Sequence, residues 1–513
     1  MPYDGPGASP VTGPSASPQY AYSPQLRTAL VLTGSGTAGA YHAGVLRAFQ
    51  EAGVKIDLVA GTGMGAVSAL FAAIDGGTGL WSADGLWRSP GTSRYYRVRA
   101  AIRAGAWALA ASLSVVLLPL LALVAGLVVY PVGFLLRLAG ASSGGWLSKA
   151  YTSFVETAFD PGFLPTVLPR AFLLSLVLFV GTLGVLAIGV LIHGGGKRRD
   201  DAPIWWRIVG APLSAAGATR AVLSGVWRLV GGAAGARRPQ PVDLSRAYTE
   251  LLRDNLGQPG FRDLLVTVHD LDMRRDLVFA LVGERHRRDF FRTSERPGGD
   301  RRLAEGFDLA GVSRDHLVNA VLAGVTLPVA TEVRLMEFPP ESYWCGEVHR
   351  VTSRPGAVDR ILAELPLAGV EQVIVVSPFP ELDGPHRLTV PRGDWRGRVS
   401  DYLAGAEATA LRSVGWATDS FRGVYVVRPS YNPIGPLDVA GCYDQRSDRL
   451  VTLGELVDRG YEDAYRQFIE PVVGASGERL DISRARRGRG AGSDDEPIEG
   501  IPLPDVGPSS DVL

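Results

Sequence analysis

The hydrophobic pattern falls into two regimes. Residues 28–33, Thr-Ala-Leu-Val-Leu-Thr, form a short apolar, β-branched run, which predicts a strand buried in a parallel sheet. The turn Gly34-Ser35-Gly36-Thr37-Ala38-Gly39 follows, then a helical run over 40–52 that Gly53 stops. Residues 56–60 predict a second strand, Gly61-Thr62-Gly63-Met64-Gly65 a second glycine turn, and the residues up to Ile74 a second helix. Strand, glycine turn and helix, repeated, imply an α/β fold with a parallel sheet. Later segments extend it. A strand-like run ends at His269-Asp270-Leu271-Asp272, residues 318–330 read as a helix, and Val373-Ile374-Val375-Val376-Ser377 is another buried strand. Thr452 and Glu455 form a capping box for a C-terminal helix running towards Ile469.

The second regime lies between. Residues 104–136 contain no charge over 33 positions, and residues 171–192 none over 22. A bilayer core is crossed by about 20 apolar helical residues, so each is expected to span. Pro119 and Pro131 predict a tilt or kink in the first. Arg94, Arg97, Arg99 and Arg103 precede it, and Lys197, Arg198 and Arg199 follow the second. The positive-inside rule then puts both outer flanks in the cytoplasm and makes 138–170 a short excursion to the far side. Over 203–235, Trp205, Trp206 and Trp227 alternate with Arg207, Arg220 and Arg228. That pattern fits a helix at the headgroup level and equally an amphipathic helix packed on the globular part.

Composition narrows the function. Among 513 residues, 52 Lys+Arg balance 52 Asp+Glu, which argues against a nucleic-acid partner. Mean hydropathy is +0.12, consistent with membrane contact. Two cysteines, Cys345 and Cys442, cannot build a disulfide framework and suit a reducing compartment. There is no HExxH and no paired CxxC, so no metal or other cofactor is expected. Residues 1–27 and 474–513 are rich in Pro, Ser and Gly and are expected to be disordered. The first of these has neither the basic nor the apolar region of a secretory signal.

The first glycine turn admits two chemistries. Gly34-x-Gly36-x-x-Gly39 fits a dinucleotide fingerprint, with Asp57 eighteen residues beyond. Asp57 begins the next strand, however, whereas a ribose-binding acid ends it. The same N–H groups at a helix N-terminus would equally form an oxyanion hole. The second turn favours the latter, because strand, Gly-x-x-x-Gly and helix make a nucleophile elbow.

Together these turns, with Ala40-Tyr41-His42-Ala43-Gly44-Val45-Leu46 and the later Phe338-Pro339-Pro340 turn, resemble the patatin-like phospholipase family. The resemblance covers about 28–95 and 245–440. It implies a three-layer α/β fold with a central, mostly parallel sheet, interrupted here by a transmembrane helical hairpin. It also implies acyl-ester hydrolysis by a Ser–Asp dyad. The domain organisation expected is 28–98 and 241–440 as two halves of one domain, 99–240 as the membrane insertion, and 441–473 as a C-terminal helix.

The dyad is missing. The elbow centre is Gly63, and the family's Asp-Gly motif aligns with Cys345-Gly346, followed by Glu347. Ser35 replaces an oxyanion-loop glycine and Ala38 its basic residue. Glycine supplies no nucleophile. Thr62 is expected to point away from the elbow tip and Ser68 to pack or bond backbone. Ser35, or Cys345 with Glu347 or His349, remain as substitute nucleophiles. The leading expectation is a membrane-anchored, lipid-binding or regulatory protein whose partner is membrane lipid or an acyl chain. The alternatives are an acyl hydrolase using Ser35 or Cys345 and a nucleotide-binding membrane protein. Both sheet halves must meet on one side of the bilayer, so two crossings would leave the globular domain and both termini cytoplasmic.

Overall fold

A computed structural model describes residues 22–474 except 76, 141–142, 161–166, 194–209, 232–239, 293–300, 341–343, 381–392, 413 and 415–418. The strands are β1 (Thr28–Leu32), β2 (Leu58–Thr62), β3 (Arg97–Val98), β4 (Leu213–Ser214), β5 (Asp263–Asp270), β6 (Arg275–Leu281), β7 (Ala304–Asp308), β8 (Arg334–Glu337), β9 (Val348–Thr352), β10 (Gln372–Val376), β11 (Gly423–Val427), β12 (Cys442–Asp444) and β13 (Arg449–Val451). The helices are α1 (Ala38–Glu51), α2 (Met64–Ala73), α3 (Thr78–Trp81), α4 (Ala100–Val116), α5 (Leu118–Leu138), α6 (Ser143–Phe159), α7 (Val167–His193), α8 (Ala216–Gly231), α9 (Pro241–Asn255), α10 (Glu284–Arg292), α11 (Leu317–Val325), α12 (Val358–Glu364), α13 (Trp395–Arg412) and α14 (Leu453–Ala464).

The central sheet runs β11-β10-β1-β2-β5-β6-β7, with β9 joining the end of β5 and pairing with β8. From β11 to β5 every pairing is parallel. Its middle strands are buried on both faces, which is why β1, β2 and β10 read as continuous apolar runs. One face packs on α1, α2, α8, α9, α11 and α14, through residues such as Leu30, Val59 and Val266. The other packs on α10, α12 and Leu411 of α13, through Ala29, Leu58 and Val375. This is the expected three-layer α/β arrangement. α1 and α14 touch backbone to backbone. A Cβ on Gly44 would lie 1.8 Å from the Val457 carbonyl oxygen, and one on Gly460 2.3 Å from that of Tyr41. Thr452 caps α14 by accepting the Glu455 amide, as its capping box predicts.

The insertion is smaller than expected. β3 and β4 pair antiparallel, Arg97 opposite Ser214 and Val98 opposite Leu213, so the chain leaves the domain and returns at one point. The domain resumes here, well before residue 241. Within 203–235, α8 packs on the core. Val222 and Val226 are buried, and Gly225 lies against the Phe71 ring. Its Trp and Arg positions therefore belong to an amphipathic helix covering α2, not to a headgroup-level helix; residues 203–209 and 232–235 lie outside the described residues.

The first apolar segment divides at Leu117 into α4 and α5, with a proline in the first turn of α5 and Pro131 inside it. The backbone ladder continues through the break, since Leu117 donates to Leu113 and Leu121 to Leu117. These 39 positions, 100–138, extend about 58 Å at 1.5 Å per residue. α6 returns along α5 and α7 along α4. Tyr151 on α6 donates to the Ala122 carbonyl, and Arg137 donates to Ser148 at 2.8 Å. Among the described residues one helix segment, Leu120–Leu138, is long and apolar enough to cross a membrane. Most of its large side chains face outward.

The N-terminal side is ordered earlier than composition implies. Tyr22 is buried against Tyr425 and Phe468, so the ordered chain begins before residue 28; residues 1–21 and 475–513 lie outside the described residues. The segment 441–473 opens with the β12–β13 hairpin, and its helix starts only at Leu453.

Candidate functional site

Both glycine turns lie at the C-terminal ends of neighbouring parallel strands, with Leu32 in register with Gly61. At the elbow, Gly63 has φ +59° and ψ −133°. This is the strained strand-to-helix corner of a nucleophile elbow, occupied by the residue that adopts it most readily. The corner survives without the side chain it serves in an acyl hydrolase.

Two of the backbone donors at the turns are already used. The Met64 amide, which follows the elbow centre, donates to the Gly34 carbonyl at 2.8 Å. In an elbow that N–H helps to form the oxyanion hole. The Thr37 amide donates to Pro436 at 3.1 Å, and the Thr37 hydroxyl to Gly435 at 2.9 Å. Pro436 also covers the first turn, its carbonyl oxygen standing 1.8 Å from where a Cβ on Gly36 would be. At Gly63 a Cβ would lie 2.5 Å from the Gly34 carbonyl oxygen. The turns are closed on each other and capped from the 435–436 loop.

Each substitute nucleophile can be placed. Ser35 is buried, and its hydroxyl has no hydrogen-bond partner among the described residues, so no base activates it. Thr62 pairs in register with Thr267. It alternates with Ala60 and Leu58 onto the face opposite α2, away from the elbow tip as expected. Ser68 is 3.3 Å from Nδ1 of His42, whose Nε2 is 2.9 Å from the Thr33 carbonyl oxygen. A carbonyl only accepts, so Nε2 carries the proton and Ser68 donates to Nδ1. Burial pulls His42 down to about 3 and keeps it neutral. This has the geometry of a nucleophile–base pair, yet both residues are wholly buried. It joins the end of β1 to α1 and α2. Sequence reading placed Ser68 but missed His42, whose one signal was being the single histidine of α1, set among apolar residues in its first turns.

Cys345 is exposed in the turn between β8 and β9, with φ +44°. His349 is buried, its Nδ1 2.5 Å from Asp270 and its Nε2 3.1 Å from Glu347, and its ring stacks on Trp344. Both imidazole nitrogens are taken by carboxylates, so His349 is not a base for Cys345. The residues that β9 carries to the elbow are further along. Thr62 faces Thr267 and Thr352 faces His269, two positions on along β5. Thr352 and Ser353 bond Thr326, at 2.9 and 2.7 Å. Thr326 lies just beyond Gly324, which packs on the Gly63 carbonyl. From Val348 to Thr352 alone β9 covers four residue steps, about 13 Å. Cys345 is thus held beyond the far end of that strand.

Asp57 accepts the Thr28 amide at 2.8 Å and pairs with Lys55 at 3.3 Å. It lies at the N-terminal edge of the sheet, opposite the glycine turns, so it cannot complete a dinucleotide site with them. Among the described residues no group of three or more His, Cys, Asp or Glu is arranged to hold a metal.

Parallel sheet, elbow corner and paired glycine turns define a patatin-type α/β architecture. A family model described as patatin-like phospholipase matches residues 30–349, and the chain belongs to that family. Among solved structures it resembles the crystal structure of VipD from Legionella pneumophila at 11% identity and TM-score 0.28, covering 87% of this chain and 67% of that one. No match is found among curated proteins.

Proposed function

We propose that this chain is a membrane-anchored, catalytically silent member of the patatin-like phospholipase family that binds lipid or an acyl chain without cleaving it. The observation that carries this reading is the Met64–Gly34 hydrogen bond beneath Gly63. One oxyanion donor is satisfied by the protein, and the residue above it has no side chain. Acyl transfer needs an activated nucleophile and a free donor set at the developing oxyanion.

Anchoring by two crossings, with the globular domain cytoplasmic, rests on three supports: the length and outward apolar surface of α5, the uncharged run 171–192 within α7, and the basic flanks. The β3–β4 pair returns the chain to its point of departure, which requires an even number of crossings.

The test uses full-length protein in neutral detergent with a phospholipid and a short acyl ester, plus alkaline extraction of the source membranes. Background turnover and retention in the alkaline pellet are expected. Turnover above background that Ser35→Ala abolishes would overturn the silent reading, and release by alkali would overturn the anchor.

A further inference from the structure

Where the arm joins the domain there is a cleft of about 380 Å³. Arg97 of β3, Arg103 of α4 and Arg396 of α13 line it, together with the 437–441 loop. The loop contributes one acid, Asp438, whose Oδ2 already accepts the Gly435 amide at 2.7 Å. None of the three guanidinium groups has an ion-pair partner among the described residues, whereas nearby Arg99 pairs with Glu332. Three cations and one engaged carboxylate leave the cleft with a surplus of positive charge. Guanidinium groups bind phosphate through their planar fork.

The surroundings indicate where the phosphate comes from. Arg103 is the last charge before the uncharged run that begins at residue 104, which puts the cleft at headgroup depth if the arm spans. On α13, Trp395 and Tyr402 are both exposed and seven residues apart, hence on one helix face. Exposed Trp and Tyr on one face mark the membrane–water interface. The charge and the aromatic face occur at the same root of the arm.

We propose that this cleft binds the phosphate of an anionic phospholipid headgroup, with α13 resting on the bilayer surface. The lipid source rests on the membrane reading above; the phosphate chemistry does not. The 437–441 loop continues from Gly435 and Pro436, which cap the first glycine turn, so headgroup occupancy would bear on the same segment that covers the closed site.

The test titrates full-length protein in neutral detergent with dioctanoyl phosphatidic acid, dioctanoyl phosphatidylcholine and inorganic phosphate, and counts bound ligand by native mass spectrometry. Each arginine near a lipid surface contributes roughly fivefold in affinity. Arg396→Gln should therefore weaken phosphatidic acid binding about fivefold, and the Arg97→Gln/Arg103→Gln/Arg396→Gln variant on the order of a hundredfold. Phosphatidylcholine binding should be unchanged. Unaltered phosphatidic acid binding in a folded triple variant, or in the Arg396→Gln single variant, overturns the site. Inorganic phosphate binding as tightly as phosphatidic acid, through the same arginines, overturns the lipid source. Ester turnover and alkaline extraction on the same preparations show separately whether the silent, anchored reading has failed.

Discussion

The carbonyl oxygen of Gly34 holds the amide of Met64 at 2.8 Å, tying the first glycine turn to the second. This bond explains why replacing the missing nucleophile is not a simple repair. At Gly63 the φ is +59°, and a new Cβ would lie 2.5 Å from the same carbonyl oxygen. Gly63→Ser, alone or with Cys345→Asp, is expected to give no ester turnover. It should lower stability by about 1–3 kcal/mol through backbone strain and the forced separation of the turns. Thermal unfolding and a chromogenic ester assay check both halves; turnover in either variant would show that the turns part easily.

The α1–α14 contact makes a second prediction. Gly44→Ala places a methyl group 1.8 Å from the Val457 carbonyl oxygen, a backbone atom that cannot swing aside. The helices must separate, at about 1–3 kcal/mol. Gly53→Ala is a poor control because its φ is +64°, whereas Gly405→Ala on α13 meets nothing within 4 Å and should leave the unfolding midpoint unchanged or higher.

His42 makes stability fall in acid. Burial lowers it from 6.5 to about 3, so between those values the unfolded chain binds the proton and the folded chain does not. The stabilising contribution is complete above pH 6.5 and is lost progressively towards pH 3, at up to about 1.4 kcal/mol per pH unit. Denaturant midpoints at pH 7 and pH 5 should show a smaller acid loss in His42→Gln than in the parent.

Glu407 acts in the opposite direction. It is wholly buried on α13, and burial raises it from 4.5 to about 7 against the Gly356 amide and the Arg354 charge, with Asp359 adding to the rise. The folded chain holds the proton that the unfolded chain releases, so stability declines as pH rises from 4.5 to 7. Glu407→Gln should therefore stabilise the protein above pH 7, by up to about 3 kcal/mol, with no gain below pH 4.5. Equal midpoints at pH 8 would refute this.

Cys345 is exposed and Cys442 half-buried, which gives a reporter for sidedness. If the domain is cytoplasmic, a membrane-impermeant maleimide should label Cys345 only after permeabilisation. Labelling in intact cells would reverse the orientation.

The sheet was legible because parallel strands covered on both faces must be apolar, as 29–32 and 373–376 are, and because their turns demand glycine. Three features were not. β3 and β4 are two residues each, too short to carry a period. The Trp–Arg pattern of α8 is shared by interfacial and packed helices, and the burial of Val222 and Val226 and the contact with Phe71 distinguish them. Spacing from Phe338-Pro339-Pro340 does not reveal that β9 pairs across the end of β5 and carries Thr352 there.

Sheet order also sets a timetable. β1 lies between β10 and β2, and β2 between β1 and β5, yet 200 residues (63–262) separate β2 from β5. At about 5–20 residues per second, translation takes roughly 10–40 s to deliver that partner. Throughout this interval the nascent β1–β2 pair has two open, strongly apolar edges, and unpaired edges invite association. The apolar arm emerges in the same interval. If the arm enters a bilayer, its delivery thus precedes completion of the sheet, and a ribosome already held at a membrane would keep the half-built domain away from other half-built copies.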